Sequence, residues 1–233
     1  MIDINDFCSL YNEKNLMTRQ NGFSIKESDK GAFVKGATFI LNGGSFDYCG
    51  ECIWNCTEDF YTKQSQGFNF RKKCDGFTFC RVGGRHYLIW IELKSSFSEI
   101  FNKAIFQLSS CYVKMKSYLN VFTKYVPDEF EEIGIVVCRP EDRSAYTEND
   151  NSVVLNRRNS LVSQENTALE KCRRRYRKKG KLILIGDDFG VSSINLKQEI
   201  KLCELPVFTY FTNEENPTVD LAQVIRETLG HEP

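Results

Sequence analysis

The sequence predicts an α/β protein with one mixed central β-sheet flanked by helices. The Gly83-Gly84 pair lies between two runs rich in Phe, Val, Tyr, Ile and Trp, which is typical of a β-hairpin with a two-residue turn. Residues 97–122 contain no Gly or Pro and predict a long helix. The apolar run at residues 133–138 is typical of a strand buried on both faces, so the long helix is expected to connect two parallel strands.

Local signals define the ends of these elements and predict three more. Ser95 or Ser96 suits the N-cap of the long helix, with Glu99 placed as in a capping box. Pro217 and Gly230 delimit a final helix. The C-terminal part is predicted to contain two buried strands and this helix, at residues 181–185, 207–211 and 218–229.

The length of 233 residues suits a single domain with a sizeable core. We expect the core at about residues 45–140, an inserted loop and helix at about 140–180, and the C-terminal strands and helix at about 181–230. Acidic and basic residues number 31 each, so any attraction for phosphate must come from local clustering of charge. The sequence shows neither a membrane-length apolar run nor a signal peptide, which predicts a cytoplasmic protein without membrane association.

The hairpin predicts a charged cluster at the open end of its two strands. Counting outward from the turn places Asp75 opposite Glu92, and the alternation of side chains puts Lys94 on the same face as Glu92. Opposed carboxylates destabilise a strand pair, and a divalent cation with oxygen ligands is the natural compensation. The alternative is an ordinary solvated strand face on which Lys94 neutralises Glu92.

Asp75, a gap of sixteen residues and then Glu92-Leu93-Lys94 resemble the motif of the PD-(D/E)xK nuclease superfamily. The resemblance covers about residues 45–140, and Cys74 replaces the proline of the motif. It implies a restriction-endonuclease-like core of αβββαβ order with an inserted basic helix. It also implies Mg²⁺ or Mn²⁺ held by Asp75, Glu92 and the backbone carbonyl of Leu93, with Lys94 as the third catalytic residue.

Four further candidate site residues follow from the resemblance. Members of the superfamily often carry another acidic residue on a helix ahead of the first core strand, and Glu51 and Glu58 are the candidates here. Gln107 and Ser95 are expected to contact substrate. The alternative for the two glutamates is that they are solvent-facing charges of a helix. The alternative for Gln107 is that its amide lies at the edge of the apolar stripe of the long helix and bonds to water.

A basic segment lies in the insertion, on a predicted amphipathic helix. Its cations are Lys171, Arg173, Arg174, Arg175, Arg177, Lys178 and Lys179. Such clustering in a chain without net charge suits contact with a phosphate backbone. A solvated helix face, with cations that complement the helix dipole, is the alternative.

The ten cysteines are expected as free thiols because no secretory signal precedes them. A helix is predicted at residues 47–61, where Cys49, Cys52 and Cys56 share one face with Phe60. Cysteines on such a face pack into a core, and we favour this interpretation over a zinc site.

The resemblance therefore predicts a metal-dependent nuclease that hydrolyses phosphodiester bonds, with DNA preferred over RNA. The expected context is an effector of bacterial anti-phage or restriction defence, acting as a possible homodimer or beside a helicase or another ATPase. The alternative function is a catalytically inactive module of nuclease fold that binds nucleic acid or a partner protein.

Overall fold

The computed structural model describes residues 16–17, 22–27, 29–51, 72–97, 99–140, 169–176, 181–186 and 196–230. The strands are β1 Leu16–Met17, β2 Gly22–Lys26, β3 Gly36–Ile40, β4 Gly44–Glu51, β5 Gly76–Val82, β6 Arg85–Lys94, β7 Phe130–Cys138, β8 Leu182–Leu184, β9 Leu205–Phe211 and β10 Thr218–Asp220. The helices are α1 Ile105–Leu119, α2 at residues 169–176 and α3 Leu221–Leu229.

Two sheets organise the molecule and confirm the predicted α/β class. The larger sheet has seven strands in the order β1-β4-β5-β6-β7-β9-β8, and the smaller has the order β10-β3-β2. The β6-β7 and β7-β9 pairs are parallel, whereas β4-β5, β5-β6 and β8-β9 are antiparallel. Helix α1 connects β6 to β7, as a parallel crossover requires.

Strand β6 is buried on both faces because each face of the large sheet carries its own core. Leu88 and Trp90 pack with α1 on one face. Ile89, Ile91 and Leu93 pack on the other face with α3 and the small sheet. The two sets alternate along the strand as its period of two residues demands.

The Gly-Gly turn is confirmed by its backbone. Gly83 and Gly84 have φ values of 57° and 81°, a left-handed conformation at both turn positions that side chains disfavour. The pairing runs from Val82 opposite Arg85, next to the turn, to Gly76 opposite Ile91. The register is therefore the one counted from a two-residue turn.

The long helix begins later than its sequence predicts. Residues 105–119 form α1, and a short π-helical segment, Ile100–Ala104, precedes it. The Glu99 carboxylate accepts the Ser95 N–H at 3.1 Å, whereas the Ser95 hydroxyl accepts the N–H of Phe33 at 3.0 Å. The Ser95 side chain is thus used in a tertiary contact instead of an N-cap.

The predicted helix at residues 47–61 is wrong where the structure describes it. Residues 47–51 belong to β4, which pairs with β5 and carries an irregularity between Phe46 and Tyr48. The helical spacing of three cysteines was a weak local signal, and pairing with a buried neighbouring strand outweighs it. Residues 52–61 lie outside the described part of the chain.

The C-terminal elements largely match their predictions. Strands β8 and β9 occupy the two predicted apolar runs. The last helix begins three residues late because Thr218–Asp220 forms β10, and the Asp220 carboxylate then caps α3 by accepting the Ala222 N–H at 3.0 Å. Gly230 ends the helix with φ at 76°. None of the described helices has the length and hydropathy needed to cross a membrane.

Candidate active site

The end of the β5-β6 hairpin brings Asp75, Glu92 and Lys94 together. The regular register of the hairpin ends at Gly76 opposite Ile91, and the Asp75 N–H then donates to the carbonyl of the same Ile91 at 3.0 Å, one residue out of step. Asp75 thus lies beside the end of β6 through an irregularity of the ladder, and not as the regular partner of Glu92 that the turn count predicts. The Leu93 N–H donates to Oδ2 of Asp75 at 2.7 Å and orients that carboxylate. The structure therefore places all three predicted residues at one strand end.

Glu92 and Lys94 form a buried ion pair that satisfies only one carboxylate oxygen. Glu92 is fully buried, and Lys94 is 8% exposed. Lys94 Nζ donates to Oε1 of Glu92 and to the Leu93 carbonyl, the latter at 3.0 Å. Oε2 of Glu92 is buried without a hydrogen-bond partner among the described residues. A buried carboxylate oxygen in that state is costly, which makes it a candidate ligand atom for a cation.

Burial and mutual repulsion shift the ionisation of both carboxyl groups. Burial raises the pKa of Asp75 to about 6, although the Leu93 N–H and the Lys94 charge oppose the shift. Burial and the charge of Asp75 raise the pKa of Glu92 well above its ordinary value. Burial alone would lower the pKa of Lys94, but Glu92 and Asp75 outweigh it and raise that pKa. One ammonium thus faces two carboxyl groups, of which Glu92 is fully buried and Asp75 partly buried.

Helix α1 anchors the backbone immediately ahead of Asp75. Three of its side chains, one turn apart, bond to consecutive residues of that segment. The bonds are Lys114 Nζ to the Lys72 carbonyl at 2.7 Å, Gln107 Nε2 to the Lys73 carbonyl at 2.9 Å, and the Cys74 N–H to Cys111 Sγ at 2.9 Å. The Gln107 amide, expected to contact substrate or water, is used here to hold the protein backbone.

Glu27 is an acidic neighbour of the site that the sequence analysis missed. Its negative charge raises the pKa of both Asp75 and Lys94. Glu27 follows β2, and the loop that it begins reaches the end of β6 through the bond from Phe33 to Ser95. No spacing rule links Glu27 to the hairpin, because the small sheet brings it there only in the folded state.

The other predicted acidic residue, Glu51, ends β4 with its Cα opposite Gly76, which places its backbone beside the residue that follows Asp75. Its side chain lies outside what the structure describes, as does the whole of Glu58. Glu51 therefore stays a prediction. Its position on a strand, not on a helix, corrects the element on which it was expected.

The basic segment is divided between structural and exposed roles. Arg175 donates to the Ile183 carbonyl and to Cys172 Sγ, both at 3.3 Å, so it fastens α2 to β8. Arg174 is exposed and pairs with Glu170 at 3.4 Å. Arg173 lies on the same helix, half-buried. Lys171 is exposed on the same helix, whereas Arg177, Lys178 and Lys179 lie outside the described residues.

Six cysteines have described side chains, and these are free thiols, as predicted, with all of them buried except Cys203. Of the proposed zinc cluster, Cys49 lies on β4 without a described side chain, and Cys52 and Cys56 fall outside the described ranges. Within those ranges no three His, Cys, Asp or Glu side chains are grouped as a metal site. Mg²⁺ commonly binds through only one or two carboxylates together with waters, so the Asp75–Glu92 pair fits such an ion.

Comparison with protein-family models, with curated proteins and with solved structures found no match for this chain. Its function must therefore be inferred from the geometry and electrostatics of the hairpin end.

Proposed function

We propose that this protein is a metal-dependent nuclease whose catalytic residues are Asp75, Glu92 and Lys94. The observation that carries the proposal is the excess of carboxylate over ammonium at the hairpin end, together with the unpartnered Oε2 of Glu92. A purely structural pair would need only one carboxylate for Lys94. The second carboxylate costs stability unless a cation or a proton accompanies it.

Asp75, Glu92 and the Leu93 carbonyl would hold Mg²⁺ or Mn²⁺, which supplies Lewis-acid polarisation of a phosphate and a lowered pKa for bound water. Groups of the protein itself position the ligands and stabilise the developing charge. The Leu93 N–H keeps the Asp75 carboxylate in place. Lys94 retains its proton because its pKa is raised, so its ammonium stabilises the negative charge that develops on the phosphoryl oxygens.

The wider context is also proposed. The motif resemblance favours DNA as substrate, a role in bacterial anti-phage or restriction defence, and action as a homodimer or with a helicase or ATPase partner. Arg173 and Arg174 on α2 are the described cations of the basic segment that suit contact with the phosphate backbone.

The test is cleavage by the purified full chain of single-stranded DNA, duplex DNA, plasmid and RNA, with Mg²⁺, Mn²⁺ or EDTA. We expect metal-dependent cleavage that Asp75→Ala and Lys94→Ala abolish. Arg85→Ala is the matched control, because Arg85 lies on the same strand at its exposed far end. Cleavage that survives in both site variants, or no cleavage of any substrate by the wild type, would overturn the proposal.

One observation favours a function without catalysis. Lys94 Nζ already contacts two oxygens that a metal would use, so the ammonium can take the place of the metal. We propose as the alternative an inactive module of this fold that binds nucleic acid or a partner protein. Calorimetric titration with Mg²⁺ separates the two functions. Binding by the wild type that Glu92→Gln removes supports the enzyme, whereas no Mg²⁺ binding by the wild type supports the module.

A further inference from the structure

Three aromatic side chains form a connected cluster beside the candidate site. The ring of Phe97 lies 5.6 Å from the rings of both Tyr176 and Phe211, measured between centroids. Phe97 and Tyr176 are half-buried, but Phe211 is 45% exposed, one of only three large apolar side chains exposed among the described residues. The cluster thus ends in a ring with a solvent-facing surface.

The sheet register fixes where this ring lies relative to Lys94. Lys94 pairs with Cys138 on β7, and Cys138 pairs with Phe211 on β9. Paired residues of parallel strands point to the same face. Phe211 and Lys94 therefore share one face of the sheet and lie at the same, carboxyl end of the parallel strands. Two strand spacings separate their Cα atoms by roughly 10 Å.

The surroundings of the ring match a nucleobase, which has apolar faces and a polar edge. Tyr176 and Phe211 line a cleft of about 520 Å³ whose other walls include the apolar residues Leu182, Val207 and Leu229. The cleft also carries Lys181, Thr209, Glu204 and Glu227, whose polar groups can meet the donors and acceptors of a base edge.

We infer that Phe211, backed by Phe97 and Tyr176, is a stacking platform for an unpaired base of a strand whose phosphate lies at Asp75, Glu92 and Lys94. The inference rests on the proposed nuclease function and deepens it, because it defines the substrate class. Bases in a duplex already stack on their neighbours, whereas an unpaired base offers its face to an aromatic side chain. The preferred substrate is therefore single-stranded nucleic acid, or a duplex with an unpaired segment at the cut.

The experiment measures binding without cleavage. Fluorescence anisotropy of the full chain in EDTA compares a labelled unpaired oligonucleotide with the same sequence in a duplex. We expect the wild type to bind the unpaired strand more tightly. Phe211→Ala and Phe211→Leu should weaken that binding about five- to a hundredfold, the range found for loss of one stacked base.

Two variants control for folding and for general apolar contact. Phe211→Tyr keeps a flat ring and should bind as the wild type does. Val121→Ala removes an exposed apolar side chain at the opposite edge of the sheet, beyond the end of α1, and should also leave binding unchanged. Thermal unfolding confirms that each variant is folded.

Several outcomes would overturn the platform. These are no binding of the unpaired strand by the wild type, duplex bound equally well or better, or Phe211→Ala binding within twofold of the wild type. Wild-type affinity in Phe211→Leu would also overturn it and would indicate a general apolar contact, such as that of a protein partner. Because EDTA removes the metal, this failure is distinct from failure of catalysis, which only the Asp75→Ala and Lys94→Ala cleavage assays measure.

Discussion

Two buried Lys–Glu pairs lie at opposite ends of the central parallel strands, and they differ in their charge balance. Lys94 and Glu92 pair at the end of β6, where Asp75 adds a second carboxylate. Lys116 of α1 and Glu132 of β7 pair at 2.6 Å near the beginning of β7. The first cluster holds two carboxyl groups for one ammonium, whereas the second holds one for one.

The surroundings of the second pair account for its stability. The Tyr112 hydroxyl hydrogen-bonds to Glu132, and burial followed by the charge of Glu132 raises the pKa of Tyr112. The Lys116 ammonium lies 5.6 Å from the ring centres of both Tyr112 and Tyr125, a favourable cation–π arrangement. Burial of a Lys–Glu pair therefore does not by itself mark a site. The hairpin end differs in its second carboxyl group and in the unpartnered carboxylate oxygen of Glu92.

The largest expected difference between the two pairs is in activity. Lys94→Met should reduce metal-dependent cleavage by about 10²- to 10³-fold, the loss typical of removing one transition-state contact. Lys116→Met should retain wild-type turnover per folded molecule. Single-turnover rates, normalised to the folded fraction by circular dichroism, measure both. Equal losses in the two variants would mean that Lys94 has no role in cleavage that Lys116 lacks.

The free energy of unfolding should fall more when the Lys116–Glu132 pair is broken than when the Lys94–Glu92 pair is broken. Glu132→Gln leaves the Lys116 charge buried without its counter-ion and should lower the free energy of unfolding by about 3–5 kcal/mol. Glu92→Gln, the same chemical change, should cost much less because Asp75 remains to accompany Lys94. Urea denaturation at pH 8 without metal compares the two variants. A larger loss for Glu92→Gln would contradict the assignment of an excess of carboxyl groups to the hairpin end.

The second carboxyl group also predicts a pH dependence. The pKa of Asp75 is 3.8 in an unperturbed chain and about 6 in the folded protein. The stability from this raised pKa is fully present below pH 3.8 and is lost as pH rises through 6, a change of about 3 kcal/mol. The wild type should therefore lose stability relative to Asp75→Asn over this range. Denaturation of both proteins between pH 4 and 7.5 tests it, and a constant difference would refute it.

Removal of the Gln107 anchor should have a smaller effect and distinguishes two roles for this residue. Gln107→Ala leaves the Lys73 carbonyl without its partner at 2.9 Å and should cost about 1 kcal/mol of stability. If Gln107 positions Asp75, calorimetry should show weaker Mg²⁺ binding. If it contacts substrate instead, KM should rise while the Mg²⁺ affinity stays at the wild-type value.

The smallest effect is expected at the exposed pair of Arg85 and Glu131, 2.9 Å apart beside the hairpin turn. Exposed ion pairs contribute about 0–1 kcal/mol, so Arg85→Ala should scarcely change the urea midpoint and should not change cleavage. A loss comparable to that of Glu132→Gln would mean that solvent exposure does not reduce the contribution of this ion pair to stability.

The hairpin shows why part of the site was predictable. Glu92 lies on β6 and Asp75 directly precedes β5, and the two strands are joined by two residues, so their register is a local property of the Gly83-Gly84 turn. The helix predicted at residues 47–61 shows the opposite case. Its described part is β4, because that strand pairs with β5, which begins 25 residues after β4 ends.

The sequence by itself determined the α/β class, the hairpin register and the shared face of Glu92 and Lys94, because turn geometry and strand periodicity act over short distances. Only the tertiary structure decided which of the charged clusters has more carboxyl groups than ammonium groups. It brought Glu27 near the site, tied α1 to the backbone before Asp75, and aligned Phe211 with Lys94 across two strand pairs. These contacts join segments far apart in the chain, and desolvation at them depends on the complete core.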